Sequence, residues 1–295
     1  MALLDPVGPL PDGPQHPPVP PDLLDAVTSE HRTWSARLAL DPHDPYYYDH
    51  PLDHVPGMAL VGGLLDLLHA AGLARADRHE RWALDLRMPA FCEPDEPVRL
   101  SAEPADGAGL VDVRASQDDR VVCEGTVTVS AALPPRNVDS SPLPVPPPAP
   151  AALVHRDREE NVLVSEMLGA RSTTHWAAVL QPAPPHRLGG GPDSPLPAEA
   201  VIEAARQLTE LISHVEHDVS EEDTFILLEL RADLPGELHP GVLLRWRPVP
   251  AQSGRTTIEL DIVPGDPAAE ADGFVQLTYA AVAAKLYDRL RWGAQ

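Results

Sequence analysis

Asp49-His50-Pro51-Leu52-Asp53-His54-Val55-Pro56-Gly57-Met58 runs directly into Ala59-Leu60-Val61-Gly62-Gly63-Leu64-Leu65-Asp66-Leu67-Leu68. Prolines at 51 and 56 keep the first stretch a loop. Gly57 to Leu73 is apolar almost all round, which predicts a helix buried on every side rather than one with a wet face. Before it, Arg32–Leu40 alternates roughly like a strand. After it come four strand-like runs, Arg81–Phe91, Val98–Glu103, Gly109–Gln117 and Arg120–Ala131, parted by Pro, Asp or Gly turns.

The second half repeats that order. Asn161–Met167 and Arg171–Gln181 read as strands, Gln181 to Pro195 as a Pro/Gly-rich loop, and Leu196–Val215 as a helix. Thr224–Leu234, Gly241–Pro248, Thr256–Val263 and Gly273–Ala283 follow as strands, and Lys285–Trp292 as a short closing helix. One apolar helix followed by strands able to wrap it is the hotdog pattern, which by itself equally fits other α+β folds until the motifs below are added. The expectation is an α+β double hotdog, two curved antiparallel sheets each wrapped round a central helix. Pairing the two sheets edge to edge would remove exposed strand edges. Its parts are a Pro-rich arm over 1–22, a first unit over 23–132, a Pro-rich linker over 133–151 and a second unit over 152–295.

Composition narrows the function classes. The 45 Asp+Glu outnumber the 22 Lys+Arg, a formal charge of -23 that repels nucleic acid and anionic membranes. Two cysteines, Cys92 and Cys123, make no disulfide framework and suit a reducing compartment. With no secretory leader pattern or membrane-length apolar run, the expectation is a cytoplasmic protein, a monomer or homodimer. His50-x-x-x-His54 lacks the Glu of a metalloprotease helix and lies in a Pro-broken loop, so no metal is assigned. Gly189-Gly190-Gly191 lacks a following Lys-Ser/Thr and reads as a flexible loop. No cofactor is called for.

The loop Asp49-His50-Pro51-x-Asp53-His54-Val55-Pro56-Gly57-Met58 resembles a signature of the A-factor biosynthesis (AfsA-type) hotdog family. Val154-His155-Arg156, Asn161-Val162-Leu163-Val164 and Glu203-x-x-Arg206-Gln207 resemble a second signature of that family. The two units stand here in reversed order, and Gly62 occupies the place where the first helix of such proteins carries an acid. The resemblance implies acyl transfer from a β-ketoacyl thioester, carried by acyl carrier protein or coenzyme A, to a small hydroxylated acceptor.

Resemblance to hotdog dehydratases implies further that a loop His faces an acid on the partner unit's helix. Here that pairs His50 (or His54) with Glu203 as the catalytic residues, with Glu199 one turn earlier as the alternative acid. Gly62 leaves no reciprocal acid, so one working site is expected rather than two. Imidazole titrates near neutral pH, and a carboxyl near an apolar helix core can be held protonated or can orient the His. The start of the helix at Gly57 offers free N–H groups to a thioester oxygen, and Arg206 or Gln207 can add a hydrogen bond. His54, Gly57, Arg206 and Gln207 are therefore the expected substrate-binding residues. Plainer readings stand beside these. Asp49, Asp53 and His54 also suit capping, and Arg206 also suits a structural ion pair with Glu203. His155, His175, His186, His214 and His217 read as surface or structural. Dehydration, isomerisation or cyclisation on the same fold, and a non-catalytic acyl-binding hotdog, are the alternatives to transfer.

Overall fold

Pro56 ends the quoted loop with its backbone extended, and α1 (Gly57–Ala70) begins at the next residue with no side chain capping it. Ten of its fourteen residues are buried, as the all-round apolar pattern requires. The computed structural model describes residues 23–74, 80–131, 144–190, 194–236, 238–248 and 255–293. The expected arm over 1–22 and the linker residues 133–143 lie outside the described residues, as does Gly191.

The strands of the first half are β1 (Thr28–Glu30), β2 (Thr33–Arg37), β3 (Glu80–Arg87), β4 (Arg99–Pro104), β5 (Leu110–Gln117) and β6 (Arg120–Ala131). Those of the second are β7 (His175–Ala178), β8 (Thr224–Leu234), β9 (Val242–Trp246), β10 (Thr256–Pro264) and β11 (Gly273–Val282), with α2 (Ala198–His217) before β8 and α3 (Ala284–Trp292) closing the chain. Among the described residues all eleven strands join one antiparallel sheet in the order β1-β2-β4-β5-β6-β3-β8-β11-β10-β9-β7. The seam between the halves is β3 against β8, with Leu84 opposite Ala232 and Leu86 opposite Leu230. This pairing closes the edge that each half would otherwise expose.

Helix α1 packs on β2, β4 and β5, helix α2 packs on β8 and β11, and the two helices touch each other. The strands alternate as half-buried strands should: in β5, Val111, Val113 and Ala115 point inward while Asp112 and Arg114 point to solvent. Leu64, Leu67 and Leu68 are almost fully buried, each contributing roughly 1.5–3 kcal/mol relative to exposure.

The expected strand over Asn161–Met167 does not form. Val164 makes only an isolated bridge to Val179, and Glu159–Asn161 is a short 3-10 turn. The physical reason is the amide of Gln207. It accepts from the Leu163 N–H at 2.7 Å and donates to the Asn161 carbonyl at 2.7 Å, taking backbone groups that a strand ladder would use. Arg32–Leu40 carries β2, and β1, just before it, turns into it at His31 and Arg32, both at positive φ.

Candidate active site

A cavity of about 550 Å³ opens where the loop before α1 meets α2 and the start of β8. His50, His54 and Gly57 line it from the first half, and His155, Arg156, Arg206, Thr209 and Glu210 line it from the second. Met58, Leu60, Val122, Leu227 and Leu277 give it apolar lining. The loop is held in place by α3. Tyr287 donates to Asp53 Oδ1 at 2.6 Å, and Arg291 pairs with Glu93 and donates to the Asp53 carbonyl.

His50 places Nδ1 2.8 Å from Asp49 Oδ1, and its side chain is 31% exposed while that of Asp49 is fully buried. Asp49 also accepts from Asn161 Nδ2 at 3.0 Å and lies 3.4 Å from Arg156. Burial pushes the Asp49 carboxyl up, but His50, Arg156 and Asn161 together outweigh it and hold it below the ordinary carboxylate range. An ionised Asp49 favours the proton of His50 on Nδ1, which leaves Nε2 with its lone pair free. His54 makes the same contact with Asp53, at 2.8 Å, but Tyr287 stands over that pair at 2.6 and 3.2 Å.

Glu203, the expected acid, does not line the cavity. Its side chain is wholly buried, and it accepts hydrogen bonds from Arg156 at 2.6 Å, from Arg206 at 2.8 and 2.9 Å, and from Gln207 at 2.7 Å. Burial alone would raise this carboxyl; Arg156 and Arg206 instead hold it at about 2. It is a buried anion clamped by two cations, with Arg156 standing between it and Asp49. Gln207 lies behind the wall too, committed to Glu203 and to the Asn161–Leu163 backbone. Arg206 reaches the cavity with its guanidinium shared between Glu203 and Glu210. The structural ion pair of Glu203 and Arg206 is thus present.

Asp49, Arg156, Glu203, Arg206 and Glu210 form one continuous run of alternating charge behind His50. Sequence reasoning singled out Glu203 and Arg206 but not Glu210. The signal available was its spacing: Glu210 stands four residues after Arg206, on the same helical face. Of the histidines read as structural, His175 is buried against Glu216 at 2.7 Å and stacks on Trp246. His155 instead lines the cavity, 3.1 Å from the His214 ring, and burial followed by the nearby Arg206 pushes it down to about 4.

Gly62, at the expected place of a reciprocal acid, sits under the carboxyl of Glu199. A Cβ there would come within 2.6 Å of the Tyr47 hydroxyl and 2.9 Å of Glu199 Oε1. Glu199 accepts from Tyr47 at 2.5 Å and is pushed up to about 7 by burial, despite Arg187 at 3.8 Å. An acid from α2 fills the space that a side chain on α1 would need. Cys92 and Cys123 are free and buried. Among the described residues, no helix is long and apolar enough to cross a membrane.

The A-factor biosynthesis hotdog domain matches residues 23–132 and 138–263, which is most of the chain. The chain belongs to this family. No curated protein matches it. Among solved structures, this hotdog chain is similar to the dehydratase domain of RzxB from Pseudomonas fluorescens, at 13% identity and a TM-score of 0.59 over 87% of this chain and 98% of that one. It is similar to the dehydratase domain of PpsC from Mycobacterium tuberculosis in complex with C12:1-CoA, at 14% identity and a TM-score of 0.56 over 88% and 98%. The tesB protein of Mycobacterium avium subs paratuberculosis matches at 12% identity and a TM-score of 0.53 over 88% and 95%. At such identities the likeness establishes the hotdog fold.

Proposed function

We propose that this chain is a double-hotdog acyltransferase that moves a β-ketoacyl group from a carrier-protein or coenzyme A thioester to a small hydroxylated acceptor. The observation that carries the reading is the His50–Asp49 pair set on an apolar cavity, beside the uncapped start of α1 at Gly57. The apolar wall suits an acyl chain, and the first-turn N–H groups of α1 suit a carbonyl oxygen that becomes an anion.

In the proposed step, the acceptor hydroxyl oxygen bonds to the thioester carbonyl carbon and gives its proton to His50 Nε2. The imidazolium is stabilised by the buried Asp49 carboxylate. The negative charge on the carbonyl oxygen rests on the α1 N–H groups. Collapse breaks the carbon–sulfur bond, and His50 returns the proton to sulfur, so one ester and one free thiol replace one thioester and one hydroxyl. Glu203 acts here as a positioning residue: through Arg156 it sets Asp49, and Asp49 sets His50. His54 is read as part of the loop held by Tyr287 rather than as the base. Membership of the A-factor biosynthesis hotdog family supports an acyl-thioester substrate.

The test is intact-protein mass spectrometry of a β-ketoacyl-loaded carrier protein with and without acceptors. Transfer frees the carrier thiol only when an acceptor is present. Loss of water from a β-hydroxyacyl carrier would replace this reading with a dehydratase, and no change with either carrier would replace it with a binding protein.

A further inference from the structure

Two buried oxygens on α2, Glu210 Oε2 and Thr209 Oγ1, have no partner among the described residues, and both residues line the cavity. Their residues are 4% and 3% exposed. Glu210 uses Oε1 on Arg206 and leaves Oε2 unmet. Thr209 differs from Ser213 on the same helix, whose hydroxyl donates to the Thr209 carbonyl at 2.6 Å and meets the Tyr279 hydroxyl at 2.5 Å. Buried oxygens in a folded protein are normally satisfied, so a pair left open at a cavity wall is complementary to something that enters it.

That complement can be read from the donors and charges. A threonine hydroxyl both donates and accepts, and a carboxyl oxygen accepts, so a ligand carrying neighbouring hydroxyl groups satisfies both. A phosphate does not suit the place. The two cations at this wall, Arg156 and Arg206, already hold Glu203, and Arg206 also holds Glu210. His155 is kept neutral by burial and by Arg206. Glu221, Glu222 and Asp223 add negative charge elsewhere on the cavity lining.

We infer that Thr209 and Glu210 form the subsite for the second substrate, and that this substrate is an uncharged polyhydroxy compound rather than a phosphorylated one. The inference rests on the transfer reading above and deepens it. Thr209 and Glu210 hold one hydroxyl while another is presented to the thioester.

Two measurements test it. In the first, transfer from a β-ketoacyl carrier is followed with glycerol, dihydroxyacetone and glycerol 3-phosphate. The neutral acceptors should be preferred, and Thr209→Val should raise the acceptor KM about tenfold while the thioester KM stays put. A better phosphorylated acceptor, or an acceptor KM unmoved by the substitution, overturns the subsite and leaves transfer standing. The second needs no turnover. Infrared difference spectra below pH 7 should contain a protonated carboxyl band that Glu210→Gln removes, and glycerol should shift that band in the unsubstituted protein. A shift with no transfer from any thioester would sink the transfer reading and keep the subsite. No shift, or one that persists in Glu210→Gln, overturns the subsite whatever the reaction.

Discussion

Replacing Glu203 with Gln separates a structural anion from a chemical one. The carboxyl is wholly buried and held at about 2 against an ordinary value of 4.5, a preference for the ionised form of about 3 kcal/mol. The substitution keeps the volume but leaves Arg156 and Arg206 without their shared anion, and breaking a buried pair on one side costs about 3–5 kcal/mol. For a chain of this size that is a fall in melting temperature of roughly 10 °C. The sign with pH follows from the depressed value. Stability from Glu203 is present above about 4.5 and is lost as pH falls toward about 2. Chemical unfolding of both proteins across pH 2 to 7 reads this, and the difference between them should shrink through that window. An unchanged melting temperature with abolished turnover would refute the anchor and restore Glu203 as a group acting on substrate.

His50→Ala should lower acyl turnover by about 10²–10⁴-fold, the range for a lost general base, with an unchanged melting temperature; retained turnover removes His50 from the mechanism. Gly62→Ala should cost about 1–3 kcal/mol in denaturant unfolding, because its methyl meets Tyr47 and Glu199 at 2.6 and 2.9 Å; a neutral result means the Glu199 side chain moves aside freely. Glu199 and Glu210 are both pushed up to about 7 by burial. Their contribution to stability is full below about 4.5 and is lost as pH rises through about 7. Glu210→Gln should therefore flatten the fall in unfolding free energy across that interval, and a slope like that of the unsubstituted protein refutes the assignment. Cys92 and Cys123, buried and pushed up to about 12, should resist a thiol reagent at pH 8 until the chain is unfolded.

The sequence by itself determined the elements. Gly57–Ala70 is apolar almost all round, and a helix is the secondary structure that buries ten residues of such a fourteen-residue run. Strand-like runs bounded by turn residues placed β5, β6, β8 and β10 within a residue or two. The motif around His50 and the run Glu203-x-x-Arg206-Gln207 named segments from the two halves, of which His50 and Arg206 line one cavity. Asn161–Met167 misled because the Gln207 amide takes the Leu163 N–H and the Asn161 carbonyl, and the rest of the run makes only isolated bridges, Val164 to Val179 and Ser165 to Pro148. Only the tertiary structure decided which side of the cavity wall each polar group occupies. Arg156, 47 residues from Glu203 in sequence, holds that carboxylate in a buried ion pair behind the cavity wall. Glu210 is left as the acid with an open oxygen, because Arg206 satisfies only one of its two. Charge state and exposure depend on partners brought from distant parts of the chain, and a one-dimensional pattern does not carry them.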